Sequence, residues 1–113
     1  MPHVDWTIQF PAAITVCDRD GIVLEMNDLS AEAFKADGGR ALIGRNILDC
    51  HPEPARTKTQ QLLGAQATNA YTIEKHGVKK LIFQAPWYND GNYAGLVELS
   101  IQIPFDLPHF IRS

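Results

Sequence analysis

Residues 71–103 read YTIEKHGVKKLIFQAPWYNDGNYAGLVELSIQI, and their alternation decides the fold. Three segments of period-two pattern are separated by turn signals at Gly77 and at Asn89-Asp90-Gly91-Asn92. Gly, Asn and Asp adopt the positive φ that tight hairpins require, so the stretch reads as an antiparallel meander. In the last segment Tyr93, Gly95, Val97, Leu99, Ile101 and Ile103 fall on one side, with Leu96, Glu98, Ser100 and Gln102 on the other. In the middle segment Leu81, Phe83, Ala85 and Trp87 alternate with Lys80, Ile82, Gln84 and Tyr88. Successive side chains point to opposite faces of a strand, so the more apolar set is expected inside, with Leu99 in the core and Glu98 in solvent.

Upstream of the meander, Pro54 suits the first position of a helix that runs to about Gly64, with Ala55, Leu62 and Leu63 expected inward and Arg56, Lys58 and Gln60 solvated. Arg40 to Glu53 is broken by Gly44, Asn46, Asp49 and Pro52, which permits single helical turns only. Before it, Ala31 to Ala36 follows the capping phrase Asn27-Asp28-Leu29-Ser30 and stops at Gly38-Gly39, a short helix. Ala13 to Cys17 and Ile22 to Met26 flank Asp18-Arg19-Asp20-Gly21 as a hairpin. The order implies an α+β domain, a five-stranded antiparallel sheet with short helices and one longer helix on one face. Residues 11–104 form that domain, between an N-terminal flanking segment 1–10 and a C-terminal tail 105–113.

The chain has 113 residues, 45% of them hydrophobic and 20% charged. That is one globular domain with a real core and room for a small-ligand cavity, not for a cleft between lobes. Ten basic against 13 acidic residues give a net charge of −3, with no basic footprint for nucleic acid or anionic lipid. Nothing approaches a signal peptide or a membrane span. Cys17 and Cys50 match no disulfide framework, and free thiols in a reducing cytoplasm are expected.

With these elements in place, the chain resembles the PAS sensory domain from Phe10-Pro11-Ala12-Ala13-Ile14 to about Ile103. Asp18-Arg19-Asp20-Gly21 looks like the first hairpin turn of that family, and Glu25-Met26-Asn27 with Ala31 and Phe34 looks like its strand-end Asn leading into the first helix. Leu42-Ile43-Gly44-Arg45-Asn46-Ile47-Leu48 is similar to a recurrent family phrase, and Gly91-Asn92-Tyr93-Ala94-Gly95 resembles the turn into its last strand. Ile43-Gly44-Arg45 followed by Cys50-His51-Pro52 resembles a bacterial and archaeal subgroup. The resemblance implies a noncatalytic sensory or signalling module that binds a small apolar or amphipathic ligand in a cavity, or docks to a signalling partner. No cofactor is expected, with haem or noncovalent flavin as alternatives.

The expected cavity lining is Phe34, Leu48, Cys50, His51, Leu62, Phe83, Trp87 and Val97, with Asn27 and Arg45 as polar anchors. His51 is the residue that makes a haem-based gas or redox sensor the second reading, since a neutral imidazole ligates iron. In the haem-binding relatives the proximal His lies on the long helix, and Pro54 to Gly64 contains none. In the light-sensing flavin relatives a reactive Cys follows the Asn that Asn46 resembles, and here Ile47 stands in that place. No spacing of His, Cys and carboxylates suits a metal ion, and no nucleophile elbow or phosphate loop supports the third reading, a small enzyme on a similar curved sheet. Trp6, Ile8 and Phe10 alternate in the flanking segment and, with Ile82 and Leu96, are the expected contacts of a homodimer.

Overall fold

The computed structural model describes residues 4–113, the Cys50 side chain excepted. Strands β1 (Ala13–Asp18) and β2 (Val23–Met26) are followed by helix α1 (Asp28–Ala33) and by single 3-10 turns at Lys35–Asp37, Gly39–Leu42 and Ile47–Cys50. Helix α2 (Ala55–Ala65) then leads into strands β3 (Asn69–Lys75), β4 (Val78–Asn89) and β5 (Asn92–Ile103). All pairings are antiparallel, and the order across the sheet is β2-β1-β5-β4-β3. The expected α+β architecture is therefore present, with the helical elements on one face of a five-stranded sheet. Among the described residues no helix is long and apolar enough to cross a membrane.

Local chemistry explains the boundaries. The Asp18 carboxylate accepts from the backbone N–H of Asp20 and Ile22 at 2.9 and 3.0 Å, closing the first turn around Gly21. Asn27 caps α1, its Oδ1 accepting from Ser30 N–H at 3.0 Å. Helix α2 begins just after Pro54 and ends at Gln66, which takes the left-handed conformation. Its inward residues are Thr59, Leu62 and Leu63, whereas Ala55 is exposed, contrary to expectation. The core gathers Cys17, Val23, Met26, Leu42, Ile47, Leu62, Leu63 and Leu96, with Phe34 packed against it.

The strand phase is the reverse of the one expected. Gln84 is only 5% exposed and Phe83 39%, and Ile82 and Leu96 are buried at 5% and 4%. The helices thus cover Ile82, Gln84, Leu96 and Glu98, while Leu81, Phe83, Ala85, Trp87, Val97, Leu99 and Ile101 lie on the outer face. A period of two fixes which residues share a side but not which side the helices take, and here the more apolar side stays half-exposed. Leu96→Ala should accordingly cost about 3 kcal/mol and Leu99→Ala clearly less, since only Leu96 leaves a closed cavity. Urea unfolding of the two variants checks this, and a larger loss at Leu99 would restore the opposite phase.

The N-terminal segment is not an extended strand. Residues 6–9 form a turn, Trp6 meets Phe10 edge-on with ring centroids 5.3 Å apart, and the Ile8 carbonyl accepts from Asp28 N–H at 3.0 Å. The segment is tied to its own domain at the start of α1, and its three large side chains remain exposed.

Candidate functional site

A row of polar residues crosses the helix-covered face of the sheet. Asn69, Gln84, Glu98 and Thr15 stand opposite one another on β3, β4, β5 and β1. Asn69 Nδ2 donates to Gln84 Oε1 at 3.0 Å, the Gln84 amide donates to the Glu98 carboxylate, and the hydroxyls of Thr15 and Ser30 share a hydrogen bond at 2.5 Å. Cross-strand register lets residues far apart in sequence form one linked chain.

A cleft of about 450 Å³ opens over this row, between the start of α2 and the sheet, lined by His51, Ala55, Lys58, Thr59, Asn69, Tyr71, Gln84 and Glu98. That is the size of a small-molecule site, and its polar groups converge on one spot. His51 Nδ1 lies 2.9 Å from the Ile47 carbonyl oxygen. A carbonyl only accepts, so Nδ1 carries the proton and Nε2 of the neutral ring is left as an acceptor. Thr59 spends its hydroxyl proton on the Ala55 carbonyl at 2.9 Å. A larger hollow of about 730 Å³ lies further along the same face, by Leu29, Ala33, Ser100 and Gln102. It lacks a linked polar row, and its Glu32 is already paired with Lys35 at 2.9 Å. The apolar space between Phe34, Leu42, Ile47, Val23 and Met26 measures only about 10 Å³, too little for a ligand.

Burial pushes the Glu98 carboxyl above the usual carboxylate range, outweighing the His51 charge and the Gln84 hydrogen bond, which pull it down. Burial, then the Glu98 charge, raises the Tyr71 phenol in turn. A folded-state value above the unfolded one means the favourable contribution is complete below the ordinary carboxylate range and is lost as pH rises through the raised folded value. Glu98→Gln should therefore raise the urea midpoint at pH 8 and lose most of that advantage as pH falls to 4, where the parent carboxyl is largely neutral in both states. A constant difference across this range would show that Glu98 is not desolvated.

The residues expected to line the site are dispersed. His51 alone lines the cleft; Phe34 and Leu62 belong to the filled core, Leu48 is half-buried on the 3-10 turn before His51, and the Cys50 side chain lies outside the described residues. Phe83, Trp87 and Val97 are corrected to the outer face, where the Trp87 indole N–H donates to the Cys17 carbonyl at 2.9 Å. Asn27 is no ligand anchor, because both its amide hydrogens and its oxygen are already engaged by Thr7, Ala12, Ile14 and Ser30. Arg45 is exposed beside a separate hollow with Asp37 and Asp49. Ile82 and Leu96 are buried under the helices and are not available to a second copy. Asn69, Tyr71, Gln84 and Glu98 were not expected at a site. Counting back from the Asp90-Gly91 turn pairs Gln84 with Val97; a register shift between Trp87 and Tyr88 sets Gln84 opposite Glu98 instead, and no periodicity in the sequence announces it. Cys17 is a free thiol that burial keeps protonated, and among the described residues no group of three His, Cys, Asp or Glu side chains is placed to hold a metal ion.

Residues 8–103 match a family model described as PAS fold. Solved structures share the fold at low identity. The PAS domain of BvgS from Bordetella pertussis is 19% identical with a TM-score of 0.63, the match covering 88% of this chain and 82% of that one. A sensory box sensor histidine kinase from Vibrio cholerae is 16% identical with a TM-score of 0.63, covering 86% of each chain. The Aer2 receptor from Vibrio cholerae, described as a dual PAS-heme oxygen sensor, is 16% identical with a TM-score of 0.59, covering 82% of this chain and 95% of that one. No curated protein sequence matches the chain.

Proposed function

The chain belongs to the PAS-fold family, and from that premise we propose that it is a noncatalytic sensory module whose small ligand binds in the cleft between α2 and the sheet. The observation that carries the reading is the convergence of Glu98, Gln84, Asn69, Tyr71 and His51 on a ligand-sized space, where the apolar interior beside it is filled. The ligand is accordingly polar rather than apolar. Sensor proteins among its structural neighbours support the signalling role. A free, buried thiol at Cys17 suits a reducing cytoplasm.

Haem is the alternative that His51 and the Aer2 likeness raise. The residues do not fit it. A macrocycle needs a broad apolar slot, and the floor of this cleft is the hydrogen-bonded row of Asn69, Gln84 and Glu98. Haem titration should give no Soret band that depends on His51, so the parent and His51→Ala should give the same spectrum.

The test is a thermal-shift screen of small polar metabolites against the parent and against Ala55→Trp, which fills the cleft from its rim. A ligand at a hundredfold excess over its Kd should stabilise the parent by about 2.7 kcal/mol, a shift of about 10 °C, and leave the filled variant unmoved. A screen without shifts, or shifts equal in both proteins, overturns the reading.

The same proposal places a second copy of the chain on the outer face, where Leu81, Phe83, Leu99 and Ile101 form an apolar surface. Phe83→Asp should convert a dimer to a monomer by light scattering with the circular dichroism spectrum retained. A parent that is monomeric at high concentration removes the dimer.

A further inference from the structure

Glu98 is a half-buried carboxylate that makes no ion pair, and His51, when protonated, is the group that acts on it as a positive charge. Among the described residues the two ion pairs are Lys35 with Glu32 and Arg40 with Asp28, and neither involves Glu98. Its partner in the protein is the Gln84 amide, whose own oxygen is taken by Asn69. A carboxylate removed from water recovers its solvation only from a paired cation or several donors, and this one has a single neutral donor. It does not face a closed core, because the cleft of about 450 Å³ opens directly over it.

The groups around the cleft extend the same pattern. His51, fixed by the Ile47 carbonyl through Nδ1, has Nε2 left as an acceptor in its neutral form. Thr59 has spent its proton on the Ala55 carbonyl, so its oxygen is also an acceptor. The one full positive charge in the lining, Lys58, is on the exposed side of α2 at the rim, where water screens it. The interior therefore offers a negative charge and acceptors to a guest, with the Tyr71 ring and Pro54 as apolar walls.

We propose that the cleft binds a small organic cation carrying N–H donors, an amine, amidine or guanidine, whose charged group pairs with Glu98. This rests on the reading of the cleft as the ligand site and adds the chemical class of the ligand. Charge-assisted hydrogen bonds to a desolvated carboxylate are about twice as strong as neutral ones, so charge discriminates among guests of one shape. The elevated carboxyl of Glu98 agrees with this, since a bound cation supplies the compensation that the protein withholds.

The probes are benzamidine, benzamide and benzoate, nearly the same shape with positive, no and negative charge, titrated into the full chain at pH 8 by calorimetry. Amide NMR shifts at Asn69 and Gln84 report whether each guest is in the cleft. Benzamidine should bind about tenfold more tightly than benzamide, and benzoate more weakly than both. Glu98→Gln, which is expected to fold at least as well as the parent, should abolish the preference. Benzamide or benzoate binding in the cleft as tightly as benzamidine, or a preference that survives Glu98→Gln, overturns the ligand class while leaving the cleft as a binding site. Absence of shifts at Asn69 and Gln84 with all three overturns the site and the class together.

Discussion

Alanine at position 95 should destabilise the domain by more than about 4 kcal/mol, leaving little folded protein at 25 °C. Gly95 on β5 pairs with Asp18 of β1 and with Trp87 of β4, and its φ of 151° is one that L side chains rarely adopt. A β-carbon there would overlap the carbonyl oxygen of Cys17 and stand 2.8 Å from the backbone of Asp18. Neither obstacle is a flexible side chain, so the strands themselves must separate. Gly64 is the control: it lies inside α2 with nothing near its would-be β-carbon, so Gly64→Ala should stabilise by about 0.5–1 kcal/mol. Circular dichroism during urea unfolding reads both, and a Gly95→Ala midpoint equal to the parent's would refute the β1–β5 register.

Removing the Asn27 side chain should cost about 3–4 kcal/mol. The residue is buried, and its amide joins three parts of the chain. Oδ1 accepts from Ile14 N–H at 2.9 Å and Ser30 N–H at 3.0 Å, and Nδ2 donates to the carbonyls of Thr7 at 2.9 Å and Ala12 at 2.7 Å. Asn27→Ala strands all four backbone groups, at least two of them away from water, and also removes a helix cap. Asn27→Asp separates the contributions. It keeps the cap but turns an acceptor toward two carbonyls, so it should be nearly as destabilising as alanine at neutral pH. An aspartate variant as stable as the parent would reduce Asn27 to a helix cap.

The elements were legible because their signals are local. The turns at Asp18-Gly21, Gly77 and Asp90-Gly91 and the cap at Asn27 sit where the sequence placed them, and strand alternation identified which residues share a side except at Tyr93. There the register shift beside Trp87 breaks the alternation, and the Tyr93 hydroxyl donates to the Leu63 carbonyl of α2. The face was not legible. Which side of β4 and β5 receives the helices depends on α2 presenting Thr59, Leu62 and Leu63, and on Gly95 letting β1 approach, and both are properties of the assembled sheet. The site was lost with the face. Gln84 and Glu98 alternate with larger apolar residues and read as solvated, and they gain a shared environment only when β3 brings Asn69 alongside. His51 was singled out for its chemistry, but its hydrogen bond to Ile47 depends on a 3-10 turn of four residues, whose geometry no periodicity announces.

The strand order β2-β1-β5-β4-β3 also bears on how the domain is made. Besides the tight β4–β5 hairpin, two hairpins, β1–β2 and β3–β4, are neighbours along the chain and can form early, each by closing a short loop. They share no edge. Strand β5 is the bridge between them, and Ala13 finds its partner only at Ser100. During synthesis the first hairpin therefore leaves the ribosome with its inner edge open and keeps it open until β5 emerges, so such a long-range closure sets a slow step for the whole domain. Over that interval the unpaired edge of β1 is the part of the nascent chain most in need of protection from other strands.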